Sequence, residues 1–210
     1  MSKLLYIQAS PRGERSYSVS VAQEFIDSYK VSHPQDVISV LDVFKASLPP
    51  FDGLAVQAKY TILHGLKHSP EELEAWTAVE AVIEEFKSAD KYVLAVPMWN
   101  FGIPYRLKQY FDILVQPGYT FSFSPEAGYQ GLVTGKPIVL FCSRGGTYPA
   151  GSPAESFDLQ KRYLELILGF MGFSDIQSVV VEPTLQDGPQ VAAKAREEAM
   201  VRARGMATTF

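Results

Sequence analysis

The segment 97–104 carries the residue types that most clearly suggest a ligand site. It directly follows the apolar run Tyr92–Val96, and its sequence is Pro-Met-Trp-Asn-Phe-Gly-Ile-Pro. Trp99 and Phe101 offer flat apolar faces, while the Asn100 side chain offers hydrogen-bond donors and an acceptor. These groups could form one wall of a site for a planar heterocycle with polar edges. The alternative is an ordinary surface turn with one buried aromatic side chain.

A second loop, rich in hydroxyl groups, lies between the first apolar run and a helical pattern. Its hydroxyl and cationic side chains are Ser10, Arg12, Arg15, Ser16, Ser18 and Ser20. Free backbone N–H groups and the positive end of the helix dipole favour an anion there. We rank the arginines below the serines, because arginines in such loops are often only solvated. The simpler alternative is that Ser16 merely caps the helix.

A third loop, Ser143-Arg144-Gly145-Gly146, follows another apolar run. Two adjacent glycines at the carboxyl end of a strand can turn backbone N–H groups toward a ligand, although a tight turn explains them about as well. The patterns G-x-G-x-x-G and G-x-x-x-x-G-K-S/T are missing from the chain. Their absence counts against Rossmann-type dinucleotide binding and nucleoside triphosphate hydrolysis.

Short apolar runs predict the strands that position these loops: Leu4–Ala9, Val37–Val43, Tyr92–Val96, Ile138–Cys142 and Ile176–Val181. Near-continuous apolar runs of this length are typical of a parallel sheet covered on both faces. Helical patterns alternate with them, over 19–29, 69–86, Arg106–Val115, Phe157–Met171 and Gly188–Ala207. The alternation predicts a doubly wound α/β sandwich with ligands at the carboxyl ends of the strands.

A ligand with one anionic end and one flat, polar-edged end fits the three loops. Flavin mononucleotide (FMN) matches better than ATP or NAD.

Two segments interrupt the alternation. Residues 44–68 predict an extra loop with a short helix. Residues Tyr119–Val133 predict a small inserted β-hairpin, because Tyr119, Phe121 and Phe123 alternate along the chain and glycines follow them. Exposed aromatic side chains on such an excursion suggest a lid or a subunit contact. The alternative is a hairpin that folds down onto its own domain.

Composition and charge limit the number of domains and the kinds of partner that the chain can have. The chain has 210 residues, 47% hydrophobic residues and a net charge of −4, which fits a single domain over residues 1–210 and counts against nucleic acid or an anionic membrane as partner. No apolar run approaches the ~20 residues that span a bilayer, and the N-terminus lacks the layout of a signal peptide. The histidines lack metal-ligand spacing, so we expect no metal. The single cysteine, Cys142, predicts a reducing, cytoplasmic location.

Several separate motifs together resemble one family. They are Ser10 with Ser16-Tyr17-Ser18, Pro-Met-Trp-Asn-Phe at 97–101, Tyr110-Phe111-Asp112, the segment 131–136, Ser143-Arg144-Gly145-Gly146, and Leu168-Gly169-Phe170-Met171-Gly172. In their order and spacing the chain resembles the FMN-dependent NADH-azoreductases and NAD(P)H:quinone oxidoreductases (bacterial azoreductase type 1). The resemblance covers nearly the whole chain. It implies a flavodoxin-like three-layer sandwich whose five parallel strands have the order 2-1-3-4-5.

The resemblance also implies a role for each loop. The FMN phosphate would bind Ser10, Ser16 and Ser18, with Tyr17 lending its backbone. The edge of the flavin ring that bears N5 and O4 would lie against Met98, Trp99, Asn100 and Phe101, and the pyrimidine end against Ser143, Arg144, Gly145 and Gly146. Phe123 and Phe170 would form apolar substrate walls at the interface of a homodimer. Relatives often have Gln in place of Tyr17 and Tyr in place of Trp99; these departures leave the implied cofactor unchanged and concern the substrate range.

The implied activity is two-electron, ping-pong reduction of quinones and aromatic azo compounds by NADH or NADPH. The chemistry would take place at flavin N5 without a catalytic side chain, and we expect Cys142 to be inert. One alternative is a flavin-dependent nitroreductase or NADPH-FMN reductase that uses the same loops. Another is a flavodoxin-type electron carrier, which should be smaller and more acidic, and a third is a scaffold without flavin.

Overall fold

The apolar runs form one parallel five-stranded sheet in the computed structural model, which describes all 210 residues. The sheet strands are β1 (Lys3–Gln8), β2 (Val37–Asp42), β3 (Lys91–Pro97), β6 (Ile138–Ser143) and β7 (Ile176–Val181). Their spatial order is β2-β1-β3-β6-β7. Counted over the sheet strands alone this is 2-1-3-4-5, so the predicted flavodoxin-like topology is confirmed.

The register of the sheet aligns the carboxyl ends of the three central strands. Gln8 of β1 pairs with Ala95 of β3, and Pro97 of β3 pairs with Ser143 of β6. The loops that follow β1, β3 and β6 therefore leave the same edge of the sheet side by side. This edge includes the point at which the strand order reverses, where open α/β sheets bind ligands.

Six helices accompany the sheet: α1 (Tyr17–Ser32), α2 (Gly53–Leu63), α3 (Pro70–Lys87), α4 (Tyr105–Leu114), α5 (Leu159–Met171) and α6 (Gly188–Ala207). Alternate residues of β1 enter opposite layers, because successive side chains of a strand point to opposite faces. Leu4 and Tyr6 pack with α1 and α6. Leu5 and Ile7 belong to the larger core, which α2 to α5 cover. None of these helices is both long enough and apolar enough to cross a membrane.

Local signals explain the starts of three helices, α2, α3 and α5. Ser69 and Glu72 form a capping box at the start of α3, with Pro70 at its first position. The segment 44–68 contains α2, whose N-cap Asp52 accepts hydrogen bonds from the Leu54 and Ala55 N–H groups. The predicted helix Phe157–Met171 begins too early, because a 3-10 turn occupies 153–157 and Asp158 caps α5.

The inserted hairpin consists of β4 (Phe121–Ser124) and β5 (Gly128–Gly131), paired antiparallel as predicted. Its base is tied to the end of α5, since the Val133 N–H donates to the Met171 carbonyl at 2.8 Å. Gly131 lies so close to Gly172 that a Cβ on Gly131 would be 2.3 Å from the Gly172 nitrogen. The hairpin is therefore held against its own domain at the base.

Candidate functional site

The serine loop lies at the start of α1, at the carboxyl end of β1. Ser10, Ser16 and Ser18 are all buried, although serine is usually a surface residue. The Ser16 and Ser18 hydroxyl oxygens are hydrogen-bonded to each other at 3.1 Å. Arg12 and Arg15 lie on the 3-10 turn before the helix and are exposed. The interior of this loop is thus lined by hydroxyl groups and helix N–H groups.

Ser16 occupies the N-cap position of α1 but does not cap it. Its hydroxyl accepts no hydrogen bond from the first turn of the helix, in contrast to Ser69 of α3, which accepts from the Glu72 N–H. A capping serine normally satisfies one of the free N–H groups of the first turn. The alternative of a plain N-cap therefore does not describe Ser16. The first turn of α1 keeps its donors for another acceptor.

The segment after β3 folds into a tight two-residue turn. The N–H of Trp99 donates to the Gly102 carbonyl at 3.0 Å, and the N–H of Gly102 donates to the Trp99 carbonyl at 2.9 Å. Asn100 and Phe101 between them have φ angles of +47° and +68°. Asparagine tolerates this left-handed conformation, but phenylalanine adopts it at a cost of ~1–2 kcal/mol. The backbone N–H groups of Asn100 and Phe101 donate to no backbone carbonyl.

The two aromatic side chains of this turn contact different neighbours. Trp99 packs against Phe44 and Tyr105, with ring centroids 5.7 and 6.3 Å away. It lines an open cleft of about 690 Å³ together with Asn100 and residues of α4. Phe101 stacks on Phe157, which precedes α5, at 5.1 Å. The turn is thus supported by aromatic packing on both sides, while its N–H groups stay free.

The loop after β6 lies beside this turn. The Met98 N–H donates to the Ser143 carbonyl at 2.8 Å. The Gly145 carbonyl accepts from the N–H groups of Leu185 and Gln186, whereas the N–H groups of Gly145 and Gly146 donate to no backbone carbonyl. A Cβ on Gly145 would lie 3.2 Å from the Leu185 side chain, so the segment after β7 supports the loop from behind.

The Arg144 side chain does not point outward as a ligand-binding arginine would. It is 3% exposed, and its guanidinium pairs with Asp158 at 2.7 Å and with Glu182 at 3.3 Å. Its Nε donates to Gln160 Oε1 at 3.1 Å. The carboxylates of Asp158 and Glu182 thus hold the Arg144 side chain, and its predicted contact with a cofactor stays a prediction.

Sequence reasoning missed Gln160 and Asp158. Gln160 is fully buried, and its Nε2 donates to the Val96 carbonyl at the end of β3. One signal was available, since Gln160 lies on the same helical stripe as the buried residues Leu164, Leu168 and Met171. An amide on an otherwise apolar stripe indicates a buried polar partner.

Phe123 of the hairpin and Phe170 of α5 belong to one aromatic cluster. Phe170 packs against Phe121 and Tyr129 with centroids 4.7 and 5.5 Å away, and Phe123 packs against Tyr129 at 4.9 Å. Phe123 is 60% exposed. Neither residue contacts the rings of Trp99 or Phe101 within the chain, so the structure brings Phe123 and Phe170 together but not to the strand-end loops.

Cys142 lies just before the third loop, on β6. It is fully buried, and burial raises the pKa of its thiol to about 12. A thiol that stays protonated is a poor nucleophile and a poor metal ligand. Cys142 is therefore part of the core rather than of the chemistry.

The three loops together match the chemistry of FMN. An uncapped helix N-terminus with buried hydroxyls suits a phosphate dianion. The free N–H groups of Asn100, Phe101, Gly145 and Gly146 suit a ring whose edges carry carbonyl oxygens and nitrogen acceptors. No carboxylate lies among the buried residues of the serine loop. The residues present thus fit a flavin nucleotide at this edge of the sheet.

Comparison with known proteins agrees with this geometry. A family model described as flavodoxin-like fold matches residues 2–205. An FMN-dependent NADH:quinone oxidoreductase of Nitratidesulfovibrio vulgaris (strain DP4) is 59% identical over 100% of both chains.

Two solved structures have the same fold over nearly their full length. An azoreductase from Bacillus anthracis str. Sterne is 32% identical, with a TM-score of 0.91 and 100% of both chains covered. An FMN-dependent NADH-azoreductase from Bacillus anthracis str. Ames Ancestor, solved in complex with FMN, is 27% identical with a TM-score of 0.86, covering 99% of this chain and 100% of the other. From its sequence, its sheet topology and these relatives, the chain belongs to the flavodoxin-like fold family of FMN-dependent NADH:quinone oxidoreductases and azoreductases.

Proposed function

We propose that this chain is an FMN-dependent NADH:quinone oxidoreductase that also reduces aromatic azo compounds. The observation that carries the proposal is the alignment of an uncapped helix N-terminus with two loops whose N–H groups are free, all at the switch point of one parallel sheet. The names of the relatives, an NADH:quinone oxidoreductase and NADH-azoreductases, supply the reaction class.

In this proposal, residues 1–210 form one FMN-binding domain and the serine loop holds the phosphate. The hydroxyls of Ser16 and Ser18 face each other at 3.1 Å, so each can turn its proton toward an anion instead. Ser10 contributes a third buried hydroxyl, and the backbone of Tyr17 contributes a first-turn N–H group. Burial strengthens these hydrogen bonds, because water does not compete for the donors.

The turn after β3 and the loop after β6 would hold the two edges of the ring. When bound, FMN supplies two-electron transfer between NADH and the acceptor. The chain supplies orientation and donors: Asn100 and Phe101 at one edge, Gly145 and Gly146 at the pyrimidine end. Fixed N–H groups at that end would stabilise negative charge as it develops there, each by ~3 kcal/mol by analogy with oxyanion holes. No side chain is proposed as an acid or base.

The open cleft beside Trp99 supports a role for this residue in substrate range. Trp99 is 37% exposed and lines the cleft with Phe51 and Tyr105. Aromatic walls of this kind suit small aromatic electron acceptors.

We also propose a homodimer in the cytoplasm. The exposed ring of Phe123 lies in the hairpin cluster with Tyr129 and Phe170, and this cluster is the surface that a second copy would cover to complete a substrate wall. The free thiol of Cys142 suits a reducing compartment. Light scattering of the purified protein should give twice the chain mass; the mass of one chain would contradict the dimer.

Steady-state kinetics test the proposed activity. The FMN-loaded protein should oxidise NADH with benzoquinone and with methyl red, and should lose this activity when FMN is removed. NADPH in place of NADH measures the nucleotide preference. A rate that appears only with nitrofurazone would favour the nitroreductase alternative. A protein that binds FMN but fails to oxidise NADH whichever acceptor is added would be an electron carrier. The modest net charge of −4 and the inserted hairpin disfavour this alternative.

A further inference from the structure

We propose that Gln160 and Arg144 act as positioning residues, forming a buried bridge that sets the spacing between the turn after β3 and the loop after β6. This inference rests on the proposed function, because the two loops are the ones assigned to the edges of the flavin ring. Neither side chain is proposed to touch the ring.

Gln160 is placed to connect the two strand ends. It lies in the first turn of α5 and is fully buried. Its Nε2 donates to the Val96 carbonyl at 2.9 Å, and its Oε1 accepts from Arg144 Nε at 3.1 Å. The two ends of one amide therefore contact Val96, the residue before the last of β3, and Arg144, the first residue after β6. Any shift of one strand end relative to the other breaks one of these hydrogen bonds.

Arg144 carries the connection into the second loop. Its guanidinium is held by Asp158 and Glu182 and lies 5.6 Å from the centre of the Tyr148 ring. Its own backbone is fixed as well, because its N–H donates to the Val181 carbonyl and its carbonyl accepts from Thr184. Gly145 and Gly146 lie between Arg144 and Tyr148 and are thus anchored at both ends by one side chain.

The backbone alone provides little of this spacing. The β3–β6 ladder ends at the pair Pro97 and Ser143, and Pro97 has no N–H group to donate. Beyond that pair, the turn after β3 and the loop after β6 share one backbone hydrogen bond, from Met98 N–H to the Ser143 carbonyl. The side-chain bridge is the remaining connection at the point where both loops would meet the ring.

The composition of the bridge also favours a positioning role over a purely stabilising one. Burying an ion pair costs as much desolvation free energy as the attraction returns, so apolar residues of similar size often stabilise a fold better. The Arg144 side chain instead fixes directions, because it donates hydrogen bonds to Gln160 Oε1 and to Glu182 and also pairs with the Asp158 carboxylate at 2.7 Å. Such a network at the end of two ligand-facing strands is explained if their separation matters for binding.

The test compares FMN with riboflavin, which has the same ring but no phosphate. Gln160→Met keeps the volume of the side chain and removes both hydrogen bonds. We expect it to weaken the binding of FMN and of riboflavin by the same factor, about tenfold, because the serine loop is untouched. The midpoint potential of the bound flavin should shift as well, since the donors at the ring edge move.

Gln160→Glu is a second variant, which removes only one of the two hydrogen bonds of the Gln160 side chain. It keeps an acceptor for Arg144 but has no donor for the Val96 carbonyl, so it cuts only the β3 half of the bridge. It should weaken the binding of both FMN and riboflavin, as Gln160→Met does. If Gln160→Glu binds both flavins with wild-type affinity, the proposed bridge is wrong, because the hydrogen bond to Val96 would then not be needed for flavin binding.

Tyr92→Phe serves as the matched control. Tyr92 is buried on β3, at the end of the strand opposite to Val96. Its hydroxyl donates to the carbonyls of Phe86 and Ala89 at 2.7 and 3.2 Å. This variant should lower the thermal stability and leave both flavin affinities unchanged. If Gln160→Met behaves in the same way, or weakens FMN but not riboflavin, the inference is wrong. If the wild-type protein binds neither flavin, the proposed function fails first and the inference with it.

Discussion

The two ends of the proposed flavin site are built in different ways. The phosphate end lies within one short stretch of chain, Ser10 to Ser18, where buried hydroxyls surround the first turn of α1. The ring end is assembled from two loops on separate strands and from α5, and its turn contains two residues with positive φ. One end is local in sequence; the other depends on contacts between distant segments.

This difference suggests that the phosphate end determines FMN affinity, whereas the ring end determines reactivity and substrate range. Hydroxyls and helix N–H groups hold a phosphate in the same way whatever the ring does, so the phosphate end can supply constant binding free energy. The ring end carries exposed aromatic residues, Trp99 and Phe101, and a backbone held away from its preferred conformation. Changes there should alter the reactivity and range of the enzyme more than its retention of FMN.

The largest effect is expected at the phosphate end. The double variant Ser16→Ala, Ser18→Ala removes two donors to a charged group, each worth ~1.5–3 kcal/mol. FMN affinity should fall by about a hundredfold or more, while riboflavin affinity stays unchanged. Titration of the apoprotein by flavin fluorescence measures both.

Ser20→Ala is the control for this double variant. The Ser20 hydroxyl donates back to the Tyr17 carbonyl at 3.0 Å and so belongs to the helix itself. It should bind FMN as the wild-type protein does. An equal loss in Ser20→Ala, or no loss in the double variant, would remove the distinction between the two ends.

A second prediction concerns the hairpin and its attachment to α5. In Gly131→Ala the added methyl group would overlap the Gly172 backbone, so the hairpin must move. We expect a loss of ~2 kcal/mol in the free energy of unfolding and a raised KM for quinone, with FMN affinity unchanged. Urea denaturation and steady-state kinetics measure these quantities.

Gly169→Ala, on α5 near the same contact, is its counterpart. No atom lies within 4 Å of a Cβ placed there, and alanine favours a helix over glycine by ~1 kcal/mol. This variant should be more stable than the wild-type protein. If Gly131→Ala is equally harmless, the close contact between the hairpin and α5 is not a constraint.

The third prediction tests the strained turn. Phe101 has a φ of +68°, a region in which glycine is favoured over alanine by ~1 kcal/mol. Phe101→Gly should therefore unfold at higher urea concentration than Phe101→Ala, although both lose the stacking on Phe157. The reverse order, which is normal in helices and strands, would show that the turn is not strained.

The smallest effect is expected at Cys142. Because burial raises the pKa of its thiol to about 12, the native protein at pH 8 should react with a thiol reagent only as fast as it unfolds. In the unfolded chain the pKa returns to ~8.5 and reaction is fast. Rapid labelling of the native protein, with or without FMN, would contradict the assignment of Cys142 to the core.

Much of this architecture could be predicted from the sequence, because its signals are local. The apolar run before Pro97, the capping box at Ser69 and the serines before α1 each specify a strand end, a helix start or a loop within a few residues. The strand order and the identity of the strand-end loops follow from such signals together with the family resemblance.

What could not be predicted depends on partners far apart in the chain. Arg144 stands in a loop that faces the site, yet its side chain turns inward because Asp158 and Glu182 lie behind it. Nothing near Gln160 in the sequence reveals that its amide reaches Val96, 64 residues away. The positive φ of Phe101 is equally hidden, since phenylalanine seldom adopts it.

Anaerobic stopped-flow spectroscopy of the FMN-loaded protein shows whether the bound flavin carries electrons from NADH to a quinone. NADH should bleach the visible absorption of the bound flavin at a rate at least as fast as turnover, and subsequent mixing with benzoquinone should restore it without further NADH. This is the result expected of an FMN-dependent NADH:quinone oxidoreductase. Bound flavin that neither NADH nor NADPH bleaches, or whose absorption benzoquinone does not restore, would contradict the proposed activity.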